Sequence, residues 1–271
     1  MNLYQGRALR ERARPRHGGG RVRRVLIMLG VILALVALAH LPWEGMRRRV
    51  AVVTDLRVSG VRALDPGAVL AAAGLKRGDD LFDLDLERAR QQLLLDPRVA
   101  RAQVTRHGLR GVEVRIEERV PVLLVEHGVP WEIDSSGVLL PPLAAGVTAD
   151  VPLLTGPHFE SLPGGARLDT PAVRRGLAWI QALSARELEL GARTSEIDVS
   201  DPTTTGLLLM SGTRVLCTAW PPSVRTLSAL RVVLADLARK GTLAEEVDMR
   251  YERQVIVRPP EPAPPAGPRR G

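Results

Sequence analysis

Cysteine is all but absent from this 271-residue chain, because Cys217 stands alone and no intramolecular disulfide can form. Cys217 lies in the apolar run Arg214-Val215-Leu216-Cys217-Thr218-Ala219-Trp220. There it reads as a small core hydrophobe and not as a reactive thiol. Histidine is scarce too. His17, His40, His107, His127 and His158 fall at no metal-ligand spacing. The chain has no Gly-x-Ser-x-Gly elbow and no phosphate-binding glycine-lysine loop. Together these absences leave no catalytic constellation, no cofactor motif and no metal motif, and they point away from an enzyme.

Acidic residues are scarce at the amino-terminal end. Residues 1–50 hold eleven arginines against Glu11 and Glu44, so the rest of the chain carries about −1 of the net +8. The basic balance therefore belongs to the amino-terminal segment and not to a folded surface. That excludes the basic domain face a nucleic-acid binder needs. Arginine beside an anionic cytoplasmic leaflet accounts for it instead.

Charge is also missing from residues 25–43, and within them residues 25–41 read VLIMLGVILALVALAHL. At 1.5 Å per residue that run matches a bilayer core of about 30 Å, and in lipid its backbone must close its hydrogen bonds as a helix. Eight arginines precede it and three follow, Arg47, Arg48 and Arg49. The heavier basic load stays in the cytoplasm, so the bulk of the chain is expected outside it. Ala37-Leu38-Ala39 also has the small-x-small form of a signal-peptidase site, leaving cleavage after Ala39 as the rival to a retained anchor. The sequence divides into a basic head (1–24), an anchor (25–43), a first folded unit (50–121), a second (122–258) and a proline-rich tail (259–271), with head and tail expected to be disordered.

The first unit reads β-α-α-β-β. A strand ends at Gly60. Asp65-Pro66 opens a helix over residues 66–73, and a second helix covers 86–95, with Leu86, Ala89 and Leu93 on one face. Strands follow over 99–106 and 111–118. In the latter Val112, Val114 and Ile116 alternate with Glu113, Arg115 and Glu117. The second unit shows short strands in VLLVEHG, VPWEIDSSG and VLLPPL, then a stretch over 141–171 expected to be irregular. A helix spans 170–185, strands cover 196–199, 206–210 and 214–218, and a long helix runs over 223–240. The last two strands are expected over 245–251 and 254–258.

Several of these stretches resemble the cell-division protein FtsQ (DivIB) family and its POTRA domain. They are Leu56-Arg57-Val58-Ser59-Gly60, Gly74-Leu75, Gly78-Asp79-Asp80-Leu81-Phe82-Asp83-Leu84-Asp85, Asp96-Pro97-Arg98-Val99, Ile116-Glu117-Glu118-Arg119-Val120-Pro121, Asp134-Ser135-Ser136-Gly137 and Val247-Asp248-Met249-Arg250-Tyr251. The chain departs from the family pattern at Cys217-Thr218, where a glycine is usual, and at Arg253-Gln254, where the glycine of the final turn is missing. The resemblance implies an α+β fold: one transmembrane helix, a small POTRA domain, and a larger curved antiparallel β domain with flanking helices. It also implies a non-enzymatic scaffold of the inner membrane that links early and late division proteins at the septum. A POTRA-bearing secretion or outer-membrane assembly component is the alternative, although no barrel-like series of strands follows.

With no chemistry legible, function falls to surface recognition. The last strand, 254–258, runs into Pro259, which cannot continue a ladder, so it is expected at a sheet edge that a visiting strand could extend. The resemblance implies FtsB-like partners, with FtsL-like ones, at this edge. The expected contact residues are Arg250, Tyr251, Glu252, Gln254, Val255, Ile256, Val257 and Arg258. Other division proteins would meet the POTRA unit, near Arg88 and Arg98. Asp79, Asp80, Asp83 and Asp85 could offer oxygens to a hard cation, but read first as solvated helix-start carboxylates.

Overall fold

The computed structural model describes residues 19–40, 51–144, 146–156, 162–242, 244–251 and 254–260. The expectations for the head up to residue 18, for the tail beyond residue 260 and for Glu252 fall outside these residues.

The first compact unit ends at Val52, and its helix among the described residues is α1 (Gly19–Ala39). It is the one helix among the described residues long and apolar enough to cross a membrane, over Val22–Ala39. Its large side chains, from Val22 to Leu38, are all exposed. No protein core accounts for so apolar a surface, whereas lipid would.

The second compact unit begins at Val53 and carries two sheets. The smaller is built from β1 (Asp55–Ser59), β2 (Val99–His107) and β3 (Gly111–Glu118), in the order β1-β3-β2. Helices α2 (Pro66–Ala72) and α3 (Leu86–Leu93) connect β1 to β2. Each helix starts where a carboxylate meets a free amide. Asp65 accepts from the Ala68 amide at 2.8 Å, and Asp85 from that of Arg88 at 2.9 Å. The alternation in β3 turns Val112, Val114 and Ile116 onto Val69, Leu75, Leu81, Ala89 and Leu93. Gly60 closes β1 at φ +84°, and a Cβ there would stand 1.9 Å from the Ile116 carbonyl oxygen, so only glycine fits. Glu118, at the end of β3, accepts hydrogen bonds from the amides of Arg62, Ala63 and Leu64. Burial alone would raise its pKa, but these three donors outweigh it and hold the carboxyl below its ordinary value.

The larger sheet has nine strands: β4 (Pro121–His127), β5 (Val129–Asp134), β6 (Leu139–Leu140), β7 (Leu153–Thr155), β8 (Thr194–Asp198), β9 (Thr204–Leu209), β10 (Arg214–Thr218), β11 (Glu246–Asp248) and β12 (Ile256–Arg258). Their order is β12-β11-β10-β9-β8-β7-β4-β5-β6. The α+β class holds, with a mixed sheet: β4 and β7, β7 and β8, and β10 and β11 run parallel, and the other pairs antiparallel. β7 falls inside the stretch expected to be irregular. Three residues between Pro152 and Gly156 are too few to show a period of two. Yet this strand joins the β4-β5-β6 group to β8 and the strands beyond it.

Helix α4 (Pro171–Leu183) packs on β7 so closely that a Cβ on Gly176 would lie 2.4 Å from a Leu154 methyl. Trp179 is fully buried and donates its indole N–H to the Ala219 carbonyl at 2.9 Å. Helix α5 (Val224–Arg239) adds Leu227 and Leu230 to the same core, with Val215, Cys217 and Val247.

Candidate functional site

The last two strands are shorter than the sequence suggested, and at the end of β11 Asp248 is the reason. Its buried carboxylate takes the Arg250 amide at 3.0 Å, the guanidinium Nε at 3.0 Å and Nη2 at 2.7 Å. That fork, more than the smaller cost of burial, lowers the Asp248 pKa, and the same ion pair raises that of Arg250. The carboxylate thus draws Arg250 into a local turn, and β11 ends at Asp248. The Met249 amide still donates to the Leu216 carbonyl at 2.8 Å, so the turn stays moored to β10.

The chain returns as β12, antiparallel to β11, with Glu246 opposite Arg258, Val247 opposite Val257 and Asp248 opposite Ile256. Arg258 closes an ion pair with Glu246 at 2.8 Å. On its other side β12 pairs with no strand among the described residues, and Pro259 and Pro260 follow. An end strand with open amides and carbonyls is a surface a further strand can complete.

The predicted residues gather unevenly around this edge. Tyr251 is 53% exposed, Ile256 41% and Val257 36%. Gln254 is exposed, and Val255 packs partly against the core. Arg250 is held by Asp248, and Glu252 lies outside the described residues. Sequence reasoning missed a cleft of about 650 Å³ bordered by Val257 on β12, Arg231, Val232 and Leu237 on α5, and Glu189 and Arg193 before β8. Its walls come from distant parts of the chain, so no local pattern announces it. Glu189 is the one described non-glycine residue at positive φ, +52°.

The two POTRA residues separate. Arg88 lines a groove of about 460 Å³ between α2 and α3, with Ala72, Ala73, Asp83 and Gln92. Arg98 is only 6% exposed, with its guanidinium on Glu132 and on the Pro141 carbonyl. Beside them β2 forms an end of its sheet, and its outer side is unpaired among the described residues.

The acids between α2 and α3 work locally. Asp79 accepts from the Lys76 amide, Asp80 from that of Phe82 and Asp85 from that of Arg88. Among the described residues no three His, Cys, Asp or Glu side chains come together as a metal set. Burial pushes the Cys217 thiol up to about 12, so it is not a nucleophile at neutral pH.

An apolar helix long enough to cross a membrane, a three-stranded βααββ unit and a mixed sheet left open at β12 define a POTRA-bearing protein. A family model for the FtsQ-type POTRA domain matches residues 52–119. A protein of Anaeromyxobacter sp. (strain K) named cell division protein FtsQ is 30% identical over 86% of this chain and 80% of its own length. Proteins of the same name from Rhodothermus marinus and Syntrophotalea carbinolica are 35% and 25% identical, over 69% and 92% of this chain and 67% and 94% of their own. The chain belongs to the FtsQ family of cell-division proteins.

Proposed function

We propose that this protein is a non-enzymatic scaffold of the bacterial inner membrane, linking early and late division proteins at the septum. Helix α1 is its retained anchor, with the arginine-rich head in the cytoplasm and both sheets in the periplasm. An FtsB-like protein, accompanied by an FtsL-like one, adds a strand to β12, with Arg250, Tyr251, Glu252 and residues 254–258 at the contact. Other division proteins dock on the POTRA domain, at the Arg88 groove and along β2, whose first residues follow Arg98.

The observation that supports this most is the open outer side of β12 beside an exposed tyrosine and two half-exposed aliphatic residues. Main-chain pairing would supply affinity, and alternate side chains over the cleft would supply selectivity. The test is co-purification of the organism's own FtsB-like protein with the wild-type chain and with Tyr251→Ala. A clear loss of recovery with Tyr251→Ala is expected, and unchanged recovery would remove this docking site. Depletion in the native organism should give undivided filaments.

A further inference from the structure

The corner Asp96-Pro97-Arg98 joins the two sheets by contacts no docking role requires. Arg98 Nη2 donates to Glu132 Oε2 at 2.9 Å and to the Pro141 carbonyl, and Glu132 is 2% exposed. The other oxygen of Glu132 accepts the Ala149 amide at 2.8 Å. The Arg98 amide is fixed by Asp96 Oδ1 at 2.9 Å, and its carbonyl accepts the Arg119 amide at 2.8 Å. Arg119 then donates Nη1 to Asp134 Oδ2 at 2.8 Å. The second oxygen of Asp134 is held by the Ser136 hydroxyl and amide and by the Val138 amide. Pro97 presses on the loop of the larger sheet: a Cβ on Gly164 would come within 3.2 Å of both Pro97 and Pro141.

We propose that Arg98 is a positioning residue, the centre of a latch that makes the POTRA domain and the larger sheet one rigid body. Only Arg119 and Val120 connect β3 to β4 along the chain. A two-residue joint leaves few dihedrals to restrain, and the latch restrains them from the side. A buried guanidinium and carboxylate tolerate no loosening, because parting them would strand two charges away from water. The open edges of β2 and β12 are thereby held at one separation. A partner that touched both would meet a single platform and not two tethered modules. The rigidity itself does not depend on the strand-addition reading.

The test is a distance measurement by double electron–electron resonance on the full chain in detergent. Nitroxides at Leu109, 81% exposed at the β2–β3 turn, and Val232, 63% exposed on α5, report across the joint. Labels at Leu109 and Leu95 report within the POTRA domain alone. One peak across the joint, as narrow as the within-domain peak, is expected for the wild type. Arg98→Leu should broaden the cross-joint peak and leave the within-domain peak unchanged, and Arg98→Lys should fall between. A broad wild-type peak across the joint would overturn the proposal, and it stays decisive even if Arg98→Leu fails to fold. A cross-joint peak unchanged in folded Arg98→Leu would overturn it equally. Neither result involves a partner, so each is separable from a failure of strand addition at β12.

Discussion

Replacing Val257 with proline separates the integrity of the β12 edge from its use. The Glu245 amide donates to the Arg258 carbonyl at 3.0 Å, so the Arg258 backbone faces β11. Alternation along a strand then turns the Val257 amide and carbonyl to the open side. Val257→Pro removes one outward N–H and no bond of the sheet, and a proline on an edge strand is tolerated in that orientation. The ring also keeps most of the apolar surface that Val257 offers the cleft beside α5. Stability should therefore change by less than about 1 kcal/mol. A visiting strand, by contrast, would bury a carbonyl opposite the missing donor, at a cost of about 1–3 kcal/mol. Partner affinity should fall roughly 5- to 150-fold. Titration calorimetry of the full chain in detergent against the FtsB-like protein reads the affinity, and thermal unfolding of the same samples reads the stability. Folded Val257→Pro that binds within about twofold of wild type, a difference under about 0.5 kcal/mol, would refute the assignment of the edge.

Three further outcomes are expected. Gly60→Ala puts a Cβ 1.9 Å from the Ile116 carbonyl oxygen at φ +84°, so urea unfolding should show a loss of at least about 2 kcal/mol. Glu118 is ionised in the fold and held by three amides, so its folded pKa lies below its ordinary value of 4.5. Its contribution is complete above that value and lost as pH falls through the folded one. Wild-type stability should accordingly drop on acidification below about pH 4.5, and more steeply than that of Glu118→Gln, as followed by circular dichroism. Cys217, with its thiol pushed up to about 12, should resist a thiol-specific disulfide reagent at pH 8 in the native chain and react at once when unfolded.

Much of this molecule is written locally. The charge-free run of α1, the capping carboxylates of Asp65 and Asp85, the alternation of Val112, Val114 and Ile116, and the proline after β12 each act within a few residues. Helix, strand and edge could therefore be read in order. What escaped the sequence depends on residues far apart. β7 is three residues long and exists because β4 and β8 flank it. Asp248 shortens β11 through a fork to Arg250 that no periodicity records. Arg98 reads in the sequence as a surface contact of the POTRA domain, but its guanidinium lies on Glu132, 34 residues on. The sequence by itself determined the class of segment at each point, because hydrophobic period and capping are short-range effects. Only the tertiary structure decided which charges are enclosed and which edges stay open, because burial and strand order are set by partners distant along the chain.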